Sequence, residues 1–143
     1  MKRTINFYLG HFALWYVGLS ILVALISAFV YDVGGAVRLF IAFVASTTVA
    51  SMFVKTERRA PSDDEQRKLI FGSLFIWAAL NLVVGVALYF TGGLLQDIDA
   101  TSGTLLAVLV FVFSLLAAVT LLFLYLSYSF IARKQAEKLN VKR

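Results

Sequence analysis

Residues 9–31, LGHFALWYVGLSILVALISAFVY, run for 23 positions without an Asp, Glu, Lys or Arg. As a helix rising 1.5 Å per residue the stretch covers ~35 Å, enough to cross the ~30 Å hydrocarbon core of a bilayer. No small-x-small cleavage pattern ends it, so with Lys2 and Arg3 in front it reads as an uncleaved signal anchor. Three more apolar segments follow, over residues 36–54, 69–91 and 103–131. The fourth is uncharged for ~45 Å, more than the bilayer needs, so its end is expected to tilt or to project into water. Arg38 falls in the first turn of the short second span and is expected to snorkel.

Composition agrees. Hydrophobic residues make up 61% of the 143-residue chain and charged ones only 15%, against about a quarter in a soluble domain. The fold class is therefore all-α: a polytopic membrane protein, one four-transmembrane-helix bundle over residues 1–143. Lys and Arg flank the spans with a strong bias. Twelve of the 13 fall at the termini and in the loop 55–68, and Arg38 alone falls on the other side. The positive-inside rule then puts both termini and that loop on the cytoplasmic side of the membrane. The same distribution assigns the net charge of +5 to topology rather than to nucleic acid. Tyr31, Tyr89 and Phe90 are expected at the outer interface, and Phe7, Tyr8, Tyr125 and Tyr128 at the inner one.

The loop itself, FVKTERRAPSDDEQRKLIF over residues 53–71, holds nine of the 21 charged residues. Ser62 and Glu65 have the spacing of a capping box, so the third helix should start in the loop and run unbroken into the membrane. Asp63, Asp64 and Glu65 then sit at the positive end of its dipole. Lys55, Arg58 and Arg59 are left as candidates for docking an anionic lipid or a partner, with reversal of Arg58 and Arg59 expected to leave stability unchanged. The pattern of Arg59, Pro61, Ser62 and Glu65 ahead of Leu69, between the second and third of four spans, resembles the signature of the ABZJ-type family of small proteobacterial membrane proteins. That resemblance implies a bacterial inner-membrane setting and no particular activity.

Several chemistries lose their residues. With no cysteine there is no thiolate metal site or disulfide chemistry, and one histidine cannot clamp a haem from two helices within a chain. His11 has no acid nearby in sequence to make a relay, and no span carries an Asp, Glu or Lys at bilayer depth for ion coupling. No cofactor, metal or catalytic residue is expected. Asn81 falls near mid-membrane, with Ser20, Ser46, Thr47 and Ser114 at similar depth on the other helices, so these five are expected to form an interhelical polar layer. Small-residue stripes should bring the helices together: Ser20, Ala24 and Ala28; Ala42, Ser46 and Ala50; Ala78, Asn81 and Gly85; Ala107, Ser114 and Ala118. The functional expectation is a non-catalytic protein acting through contacts, as an accessory or assembly subunit of a membrane complex. Its partners would be the lipid bilayer and other membrane proteins or a homo-oligomer. The alternatives are an oligomeric channel or carrier for a small solute, favoured by the polar layer, and an immunity protein against a pore-forming toxin.

Overall fold

The computed structural model describes residues 4–29, 35–90 and 103–141. Tyr31 and the side chains of Arg38, Tyr89 and Phe90 lie outside the described residues. Helix α1 covers Ile5–Phe29, α2 Gly35–Glu57 and α3 Asp63–Phe90. Helix α4 covers Gly103–Tyr125 and continues through one π-helical turn, Leu126–Ile131, into α5, Ala132–Val141. Among the described residues four helices are long and apolar enough to cross a membrane, matching the four apolar segments. Helix α1 packs on α2 and α3, and α4 packs on the same two, so α1 and α4 occupy opposite corners of the bundle.

The start of α3 follows its sequence signal. The Glu65 amide donates to Ser62 Oγ at 3.4 Å and Glu65 Oε2 accepts from the Ser62 amide at 2.9 Å, the reciprocal bonds of a capping box. Helix α2 ends at Glu57, and the next residue, Arg58, takes φ 52°, the left-handed position that commonly closes a helix.

Packing is unequal along the bundle axis. At the end bearing the 58–62 loop, Tyr8, Phe12 and Tyr16 of α1 meet Val49 and Phe53 of α2, Leu69 of α3, and Leu124 and Tyr128 of the fourth helix in one core. Tyr8 and Tyr128 are fully buried there, so they are core residues and not the interfacial anchors expected from their sequence position. Towards the other end exposed side chains predominate among the described residues: Ile21, Leu22, Leu25 and Phe29 of α1, Leu82 to Val84 of α3, and Val110 to Phe113 of α4 are all exposed.

The π turn has a geometric reason. The buried row of the fourth helix is Thr120, Leu124, Tyr128, Ala132 and Ala136, each four residues after the last. At 3.6 residues per turn every such step overshoots by ~40°, so a regular α-helix would swing this row off the core within four steps. A π turn takes up one extra residue, which returns about 100°. The row therefore stays against α2 and α3, and the fourth helix runs without a break from Gly103 to Val141.

Candidate functional site

Most of the buried polar side chains gather at the loop end, around the π turn. Ser46 Oγ donates to Ser127 Oγ at 2.8 Å, Ser127 Oγ donates to the Phe123 carbonyl at 2.9 Å, and Thr47 Oγ1 donates to the Phe43 carbonyl at 2.8 Å with Ser127 Oγ 3.2 Å away. One residue on, the Tyr128 hydroxyl lies 3.1 Å from Ser73 Oγ of α3. Gln135 of α5 donates to Ser51 Oγ at 2.8 Å, and Ser51 donates to the Thr47 carbonyl. Small residues make this possible: Ala42, Ala45, Ser46 and Ala50 are all buried, so α2 lies close against its neighbours.

Asn81 belongs to a separate level, eight residues and ~12 Å beyond Ser73 along α3. Its amide donates to the Tyr16 hydroxyl of α1 at 3.0 Å and to the Trp77 carbonyl at 2.7 Å. The expected single layer is therefore two pairings with different partners. Asn81 pairs with a tyrosine and with none of Ser20, Ser46, Thr47 or Ser114. Ser20 bonds the Tyr16 carbonyl and Ser114 the Val110 carbonyl, each within its own helix, and Ser114 is exposed. Of the four small-residue stripes, that of α2 is buried and that of α3 partly so. Ala24 and Ala28 of α1 and Ala107 and Ala118 of α4 face outward, so those two stripes do not hold the bundle together.

The docking candidates divide in the same way. Arg59 is engaged: Nη1 and Nη2 each lie 2.7 Å from a different oxygen of Glu65, and the guanidinium sits 5.5 Å over the buried Phe53 ring. Its reversal is no longer expected to be silent, because the charge clamps the loop to the first turn of α3. Arg58 is exposed, and Lys55 lines a cleft between α2 and α5. His11 Nδ1 bonds the Phe7 carbonyl at 2.9 Å and its ring lies against Phe7, a local contact with no acidic partner shown. Among the described residues no group of three His, Cys, Asp or Glu side chains could hold a metal.

Thr120 stands apart. Its side chain is fully buried, and its hydroxyl has no hydrogen-bond partner among the described residues. A buried unpaired hydroxyl costs about 1–3 kcal/mol, and valine has the same shape without that cost. Thr120→Val should therefore raise the melting temperature in detergent, whereas a lower one would mean that the hydroxyl has a partner in the folded protein.

No protein-family model matches this sequence, and neither the curated proteins nor the solved structures contain one significantly similar to it. Its class rests on its own helices, which define a multi-pass, four-helix membrane protein.

Proposed function

We propose that this chain is a non-catalytic protein of a bacterial inner membrane, with both termini in the cytoplasm, that acts through lateral contacts as an accessory or assembly subunit of a membrane complex. The observation that carries the reading is the difference between the two halves of the bundle. The loop end is a finished packing unit, with its hydroxyls and amides bonded across helices. In the other half most of the described apolar side chains of α1, α3 and α4 are exposed: Phe29 is 84% exposed and Phe111 is 70% exposed. A helix apolar on every side needs either lipid or other helices around it. The solute-path reading has less support, because Ser46, Thr47, Ser127, Ser73 and Tyr128 bond to one another or to backbone carbonyls instead of facing a path. The loop and α5 share one end of the molecule, joined by Arg133 to Asp63 at 3.6 Å and Gln135 to Ser51, which fits the basic bias towards one side.

Photo-crosslinking amino acids at Val83 and Phe111 test the proposal in cells. Adducts with another integral membrane protein are expected at both positions, and adducts with lipid alone would remove the accessory-subunit reading.

A further inference from the structure

A cleft of about 740 Å³ opens between the end of α2 and α5, lined by Ser51, Val54, Lys55, Lys134, Gln135, Glu137, Lys138 and Leu139. That volume lies within the ~300–1,000 Å³ of small-molecule sites. We propose that the cleft binds the phosphate headgroup of an anionic phospholipid, with Lys55, Lys134 and Lys138 as its cationic contacts.

Three features point to this ligand. Charge is the first: three ammonium groups face one carboxylate, Glu137, and among the described residues none of the three forms a salt bridge. Second, the floor is held in place, since Gln135 donates to Ser51 and Ser51 to the Thr47 carbonyl, so the polar wall needs no rearrangement to receive a ligand. Position is the third and it selects lipid over free phosphate. Lys55 is the first charge after the apolar run of α2, and Arg133 and Lys134 are the first after that of the fourth helix. The cleft therefore sits at the level where headgroup phosphates lie, with Val54 and Leu139 in its apolar wall. Lys134 Nζ is braced 4.4 Å over the exposed Phe130 ring, an arrangement that suits the edge of the hydrocarbon layer. The four cations of the 58–68 segment do not line the cleft, and Arg59 is already paired with Glu65.

The test uses the full chain in neutral detergent, titrated with phosphatidylglycerol or with phosphatidylcholine of the same acyl chains. Phosphatidylglycerol is expected to raise the melting temperature by about 5 °C or more at saturation, and phosphatidylcholine is not. One phosphatidylglycerol per chain should survive into native mass spectrometry. The triple exchange Lys55→Gln, Lys134→Gln and Lys138→Gln should abolish both effects. Removing the same charge at Arg58, Arg67 and Lys68 should leave them in place. Lys134→Gln and Lys138→Gln alone, at exposed positions, are each expected to lower lipid retention at least threefold, which keeps the test open if the triple variant folds poorly. Equal losses in the two triple variants would assign the effect to diffuse surface charge and overturn the site. So would the absence of any difference between the two lipids. A full effect from soluble glycerol phosphate would make the ligand a free phosphate and not a lipid.

Discussion

Replacing Ser46 by leucine is expected to cost the bundle about 3–4 kcal/mol, while the same change at Ser114 should be almost silent. Ser46 is fully buried on the small-residue face of α2, and its Oγ lies 2.8 Å from Ser127 Oγ. Leucine there loses an interhelical hydrogen bond worth ~0.6–2 kcal/mol and pushes extra methyl groups into a close-packed crossing for another 1–3 kcal/mol. The Ser127 hydroxyl keeps its bond to the Phe123 carbonyl, so no donor is stranded and the packing term dominates. Ser46→Ala should therefore cost only about 1 kcal/mol. Ser114 is exposed and satisfied by the Val110 carbonyl of its own helix, so leucine there meets lipid and no neighbouring helix. Thermal unfolding of the three variants in one mild detergent decides the matter. A Ser46→Leu protein as stable as Ser114→Leu would show that α2 and the fourth helix are not in close contact at this level.

These two serines also mark how far the residues could be read without coordinates. Span number, helix boundaries near the loop and the capping box at Ser62 were legible, because each depends on local chemistry: uncharged length, or a side chain returning to a backbone amide three residues away. Depth, counted at 1.5 Å per residue, was legible only coarsely, since Asn81 falls ~12 Å beyond the Ser73 level instead of beside Ser46. Rotation about the helix axis was not. In spans apolar on every side the period of 3.6 carries almost no signal, so outward Ser114 and inward Ser46 looked alike. The fourth helix added a second difficulty, since the π turn resets its phase and places Ser127, Tyr128 and Gln135 on the polar cluster. Tyrosine hid two partners as well. Tyr128 was read as an interfacial anchor and Tyr16 was given no role, yet inside the bundle Tyr16 meets Asn81 and Tyr128 meets Ser73.

The Arg59 clamp gives the second large effect, and acid supplies its control. Arg59→Glu removes two charge-assisted bonds and sets a second carboxylate against Glu65. The side chains of Arg59 and Glu65 are 39% and 26% exposed, so solvent screens the pair and the expected loss is about 1–2 kcal/mol, against less than about 0.5 kcal/mol for Arg58→Glu. Glu65 lies in the first turn of α3, in the polar segment before the apolar run opens at Leu69. The bonds from Arg59, helped by those of Ser62, draw its carboxyl down from the ordinary 4.5 to about 2. A carboxyl depressed on folding adds stability above its unfolded value and loses it as the pH falls through the folded one. The advantage of the wild type over Arg59→Gln should therefore be complete above about pH 5 and nearly gone by about pH 2, while the Ser62 cap keeps Glu65 somewhat depressed in the variant. Stability curves of the two proteins in detergent, measured from pH 7 downward, should converge on the acid side. Curves that stay parallel to pH 2 would mean that Arg59 holds the loop through its contact with Phe53 and not through the carboxylate.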